Sequence, residues 1–394
     1  MLTAYGRVLR APHVPALVTA SLLGRLFFAT NALGTILFVE ARTGSYASAG
    51  LVAACGAVAV GLVQPAWGRR MDRGGQRGTL LLAVTLHVAG VLSLVALGLA
   101  GAPLVALMAA ALAGGAGAPP LSAALRALWP ALLPDPAALR AAMAVDALVI
   151  EAVFIGGPVL ALGVVALASP EALLVLTAAC TLAGTLLFVA QPPSRAATGA
   201  PRERGARSSL ASPGLRTLLL ASCTLGLCFG ALEVAVPAFA DEHGDPELGG
   251  LVFAAQAVGS ATGGLAYGAR SHGLPLPAVY VTLLALLAPS VALLALAGSL
   301  PAMLPLALVS GLVIAPLTAA GNELVGAVVP AARIAEAYGW VVTALVLGLS
   351  AGNALAGALV EEHGWRTAVL MAAAGIAAGA AAAATRRRTL TVAA

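Results

Sequence analysis

The chain carries 16 carboxylates and 21 basic side chains, and every basic one is arginine. Few of these charges stand inside long apolar stretches. There a charge costs about 2.5–3.5 kcal/mol even on mild insertion scales, so each needs a partner or a task. Arg25 and Glu151 both fall about 14–17 Å from the same end of their stretches, counted along straight helices, and we expect them to pair. Such a pair either ties helices together or handles a proton or solute. Glu233 lies farther out, about 25 Å from that end, at the position that matches Asn31 in the first stretch. Two readings stand for it: a carboxylate that binds a proton or a cationic solute, or a hydrogen-bonded glutamate near the outer mouth. Asp146 and Glu323 fall near the inner interface, within reach of Arg140 and Arg333, and read as structural pairs. His87 reads as a packed polar residue. No His-Glu-x-x-His, phosphate loop, paired aspartates or nucleophile constellation occurs. No catalytic residue, metal site or cofactor is therefore expected, haem included. Cys55, Cys180, Cys223 and Cys228 sit in apolar surroundings and read as small buried hydrophobes.

The most specific motif is the segment from Gly68 to Arg77, which reads Gly-x-x-x-Asp-Arg-x-Gly-x-Arg through Gly68, Asp72, Arg73, Gly75 and Arg77. Its glycines permit a tight turn and let the backbone approach a neighbouring helix. An aspartate fixed there accepts hydrogen bonds from a helix N-terminus or pairs with an arginine. A solvated basic loop would explain the arginines but not the placed Asp72, Gly68 and Gly75.

The elements that must hold these residues are apolar. Of 394 residues 60% are hydrophobic and 9% charged, and mean hydropathy is +0.99. A soluble domain carries about 25% charge and could not hide so much hydrocarbon from water. Soluble enzyme, disulfide scaffold, coiled coil and disordered tail are excluded. Spanning-length apolar runs fall at 14–39, 47–67, 78–100, 103–125, 142–168, 171–191, 216–240, 247–268, 275–297, 301–326, 334–360 and 365–385. The first run is too long for a cleaved signal and reads as a retained helix. The one long polar stretch, 192–215, is rich in Pro, Ser and Gly and reads as a flexible linker. It separates an N-terminal bundle, 1–191, from a C-terminal bundle, 216–394.

Placing the N-terminus in the cytoplasm and alternating puts every arginine except Arg25, Arg42 and Arg366 on the inner side. The outer loops are acidic, with Glu40, Glu171, Asp241, Glu242, Asp245, Glu247, Glu361 and Glu362. Both termini and the linker are expected in the cytoplasm and the protein in the cell membrane. The net charge of +5 reflects arginines at lipid headgroups, not nucleic-acid binding. Three matches in order suggest duplication: Trp67-Gly68-Arg69-Arg70 with Tyr267-Gly268-Ala269-Arg270, Pro120-Leu121-Ser122 with Pro316-Leu317-Thr318, and Arg140-Ala141-Ala142 with Arg333-Ile334-Ala335. Six crossings per copy give parallel repeats.

With twelve runs, a central linker, two copies and the Gly68–Arg77 signature, the whole chain resembles the major facilitator superfamily. The resemblance implies an all-α membrane protein of twelve transmembrane helices in two pseudo-symmetric six-helix bundles that rock about a midplane site. It also implies that Asp72 helps to lock the cytoplasmic side of the outward-facing state against the start of the eleventh helix. The counterpart around Gly268 has no aspartate, so that latch should be one-sided. Gly156-Gly157-Pro158 resembles the core of the family's antiporter motif, although Val153 and Ala161 stand where the full motif has glycine. Gly157 and Pro158 also suit a kink or a packing site. In the fourth run Ala111 occupies the place of the arginine expected in drug antiporters. Gly259, Gly263, Gly348 and Gly352 repeat at four-residue spacing and make grooves for close packing, surfaces that would also suit a moving interface.

The expected function is secondary transport of a small organic solute by alternating access, as proton-coupled export by a monomer in the lipid bilayer. Uptake of a sugar or metabolite is the alternative within transport, and a nontransporting membrane sensor the alternative of another class.

Overall fold

The computed structural model describes residues 6, 8, 10–199, 208–243, 249–269 and 274–391, with the side chains of 46, 47, 151, 154, 155, 158, 159 and 162 outside that description. Arg7, Arg202, Glu203, Arg204, Arg207, Asp245, Glu247 and Arg270 therefore lie outside the described residues. Among the described residues the chain is helical, with no strand.

The N-terminal half begins with α1 (Val14–Arg25) and α2 (Phe27–Thr43), one path that bends at Leu26. It continues through α3 (Tyr46–Gly74), α4 (Gln76–Leu99), α5 (Leu104–Ala116), α6 (Leu121–Leu132), α7 (Pro136–Leu167) and α8 (Pro170–Ala190). A short α9 (Pro192–Ala196) opens the linker. The C-terminal half holds α10 (Pro213–Glu242), α11 (Gly249–Ala269), α12 (Leu276–Ala292), α13 (Leu300–Gly311), α14 (Ile314–Val328), α15 (Ile334–His363) and α16 (Trp365–Thr385).

Ten helical paths among the described residues are long and apolar enough to cross a membrane, with α1–α2, α5–α6 and α13–α14 each counting as one path. Helices α7 and α11 complete the twelve. The former runs 32 residues and the latter 21, with α11 diluted by glycine and polar residues. The halves break alike: α5–α6 is interrupted at Gly117–Pro120 and α13–α14 at Leu312–Val313, corresponding points of the two copies. Large apolar side chains such as Leu51, Leu62, Val105 and Leu176 point outward, as a lipid-facing belt requires.

Local chemistry sets several helix starts. Ser45, Asp135, Ser169 and Ser212 each accept a hydrogen bond from a first-turn amide, and Pro stands at the start of α7, α8 and α10, satisfying donors that a helix leaves open. Gly75, at φ 81°, makes the sharp reversal between α3 and α4 that a side chain would strain. We call the end that carries the linker the linker face. Helices there outrun their apolar sequence: α3 continues to Gly74, α6 to Leu132, and α7 starts at Pro136.

Candidate functional site

Helix α15 lacks a cap of its own. Its N-cap is Arg333, with no side-chain hydrogen bond, after Pro330, Ala331 and Ala332. Asp72 of α3 supplies the missing acceptor from the other half. Its Oδ1 accepts from the Ala335 amide at 3.1 Å and its Oδ2 from the Glu336 amide at 2.8 Å. A carboxylate at a helix N-terminus is favoured by both the free amides and the helix dipole. Gly68 makes the approach possible, because a Cβ there would overlap the Ala335 carbonyl and come within 2.6 Å of Glu336 Cα.

The first turn of α15 is tied further. Glu336 is buried and accepts from Ser208 Oγ at 2.6 Å and the Ser209 amide at 3.4 Å, while Arg69 Nη1 stands 3.6 Å away. The linker's other end docks as well: the Gln76 amide donates to the Ala197 carbonyl at 3.2 Å, and Gly199 packs on the Arg73 backbone. Arg73 and Arg77 themselves are exposed. Deeper in, Gly339 lies against Gln64 and Pro65, Thr343 Oγ1 donates to the Gly61 carbonyl, and Gly61 meets Val346. This is a continuous seam between α3 and α15, from the linker face towards mid-depth.

A second polar group lies behind the seam. Arg25 Nη1 is 2.7 Å from Asp146 Oδ1, and Arg126 Nε is 2.6 Å from Asp146 Oδ2. Arg25 and Asp146 are wholly buried, and Arg126 nearly so. Gly24 and Gly184 let the backbones of α1 and α8 touch, which seats Arg25 in the interior. Arg126 reaches across the seam, its guanidinium 5.5 Å from the ring of Tyr338 in α15, whose hydroxyl donates to the Asn322 carbonyl of α14.

The structure corrects two expectations here. The expected pair of Arg25 with Glu151 falls on a side chain outside the described residues; Arg25 is paired with Asp146. Asp146 belongs to this interior cluster rather than to an interfacial pair with Arg140, and Arg126, counted as an inner loop arginine, belongs to it too.

Glu233 stands near the opposite end, exposed, with Asn353 Nδ2 donating to its Oε2 at 3.3 Å. Asn31, in α2, is half-buried, with no partner for its Oδ1 among the described residues. Gly157 is buried where a Cβ would overlap Ala29 of α2. Pro158's side chain lies outside the description. His87 contacts the Gly114 carbonyl at 2.8 Å between α4 and α5.

The glycine grooves join helices of one half. Gly259 and Gly263 lie on the Leu308 and Leu312 carbonyls, and Gly348 and Gly352 on those of Cys223 and Leu227, with Gly226 and Gly230 returning the contact. The expected moving interface is thus not at these four glycines. Gly61, Gly68 and Gly339 are glycines at the α3–α15 crossing between halves. The sequence signal for them was present only at Gly68, within the loop motif.

Comparison with known proteins agrees with this architecture. The Major Facilitator Superfamily model matches residues 17–269 and 218–392. A protein of Sinorhizobium fredii described as an uncharacterized MFS-type transporter, y4rN, is 30% identical over 247 residues, 60% of each chain. The match therefore spans about three-fifths of that relative's length. Among solved structures, a bacterial homologue of the iron transporter ferroportin in an outward-facing state aligns with TM-score 0.77 at 17% identity, covering 94% of this chain and 98% of that one. The Major Facilitator Superfamily transporter FucP in the outward conformation aligns with TM-score 0.71 at 14% identity, covering 95% and 98%. At such identities the structures speak for the fold alone. With its membrane-length helices, its paired halves and the family match over both of them, this chain is a member of the Major Facilitator Superfamily of membrane transporters.

Proposed function

We propose that the protein exports a small, partly hydrophobic organic solute in exchange for protons, by alternating access of two bundles, 1–191 and 216–394, joined by the linker 192–215. The linker and both termini face the cytoplasm in this reading, in keeping with the arginines gathered at that end. It works as a monomer in the cell membrane. The observation that carries the reading is the Asp72 carboxylate seated on the amides of Ala335 and Glu336. That contact holds the linker face shut while leaving Glu233 exposed at the other end. A seal made of one carboxylate, two amides and interleaved glycines is strong enough to persist and weak enough to part.

Glu233 is the coupling carboxylate in this account. Among the described residues its one hydrogen-bond partner is the Asn353 amide, which leaves an oxygen for a proton, and the far end gives it access to the outside. Export is favoured by the partial antiporter pattern at Gly156, Gly157 and Pro158. The test is flux in vesicles reconstituted with the purified protein. An imposed proton gradient should drive movement of at least one compound of a small organic panel, and Glu233→Gln should abolish the pH dependence. Unchanged pH dependence in that variant would remove Glu233 from the mechanism. Accumulation with the proton flow instead of against it would establish import.

A further inference from the structure

The Arg25, Asp146 and Arg126 cluster does not balance its charge. Two guanidiniums share one carboxylate in an interior where all three are buried. Among the described residues Asp146 is the one carboxylate paired with either guanidinium, so one positive charge is left over there. Moreover, Nε and Nη2 of the wholly buried Arg25 have no hydrogen-bond partner among the described residues. A buried, uncompensated cation is costly, and every unsatisfied group on Arg25 is a donor. Such a place favours an acceptor with negative charge.

We propose that this cluster is an anion site and that it receives the carboxylate-type head of the transported solute. The assignment rests on the transport reading above and narrows its substrate class to organic monoanions. Tyr338 covers Arg126 from across the seam. Parting of α15 from α3 and α6 withdraws that cover, so the site loads from the linker face when the seam is open. Arg25, about 16 Å along α1 from Val14, then holds the anion near mid-depth. Asp146 bridges the two guanidiniums.

Calorimetric titration of nanodisc-embedded protein tests the site, using hexanoate, its neutral amide hexanamide, and chloride. Each is run on the wild type and on Asp72→Asn, which loosens the seam. Hexanoate should bind, hexanamide should not, and chloride should bind more weakly than hexanoate. Arg126→Gln removes the surplus charge and should weaken hexanoate at least about tenfold, with Arg126→Lys restoring most of the loss. Asp146→Asn adds a net positive charge and should tighten it, an outcome that a purely structural cluster does not give. Absence of hexanoate binding in both wild type and Asp72→Asn overturns the site. So does equal binding of hexanoate and hexanamide, or chloride binding as tightly as hexanoate. Proton-coupled flux of a neutral or cationic compound without hexanoate binding would sink the anion site and leave the transporter reading standing. Hexanoate binding with no flux of any compound would do the reverse.

Discussion

Replacing Asp72 by asparagine removes one negative charge and one acceptor from the start of α15 without changing side-chain size. In the native seam both carboxylate oxygens accept backbone amides, at 3.1 and 2.8 Å. Asparagine keeps one acceptor and turns an NH2 group towards the other amide. A lost hydrogen bond to a charged group is worth about 1.5–3 kcal/mol, and the helix-dipole term adds about 0.3–1 kcal/mol. Asp72 is only half-buried, so water at the linker face returns part of this. The scale of a lost helix cap, about 1–2 kcal/mol, is the better figure. At about 1.4 kcal/mol per tenfold, the balance between sealed and open linker face should move about 5- to 30-fold towards open. The readout is maleimide labelling of Thr343→Cys, in a background without the four native cysteines. Residue 343 is buried in the seam against Gly61, so its reactivity from the linker side reports opening. Labelling in Asp72→Asn should accelerate by that factor over the same cysteine with Asp72 intact. Equal rates would show that Asp72 does not hold the seam.

Three further outcomes follow from the same geometry. Gly68→Ala places a methyl on the Ala335 carbonyl, so it should open the linker face at least as much as Asp72→Asn in the same labelling assay. Asp146→Leu leaves two buried guanidiniums without a counter-ion and should cost about 3–5 kcal/mol. Arg25→Met leaves the Arg126–Asp146 pair intact and should cost less, an order that thermal unfolding in nanodiscs resolves. Gly348→Leu drives a side chain into the Cys223 carbonyl and should lower the unfolding temperature, whereas Gly357→Leu, with open space around it, should not.

What could be read from the residues alone divides along a physical line. Spanning runs, linker and helix-forming stretches follow from one-dimensional quantities, hydropathy and turn residues. The loop from Gly68 to Arg77 was legible because a placed aspartate and two glycines have no use in a simple basic loop. Rotation about a helix axis was not legible. Depth counting set Arg25 level with Glu151 but gave no rotation about α7, and so did not single out Asp146, which meets Arg25. Arg126 was lost because the apolar run stops at 125, whereas the chain bends at Gly117–Pro120 and stays helical to Leu132. The glycine spacings announced close packing on α11 and α15 but not the partner, since a four-residue groove fits any helix that offers a carbonyl ridge. Glu336 and Ser208 lie 128 positions apart and meet only through the docking of the linker on the seam.

The central claim is that the two ends of the molecule open in alternation. Distances between spin-label pairs test it directly, one pair at Arg77 and Ala332 on the linker face and one at Thr43 and Glu361 at the far end, all exposed positions. Going from native protein to Asp72→Asn, the linker-face distance should lengthen while the far-end distance shortens. Two distances that change in the same direction, or a linker-face pair that separates while the far pair stays fixed, would contradict alternating access in this protein.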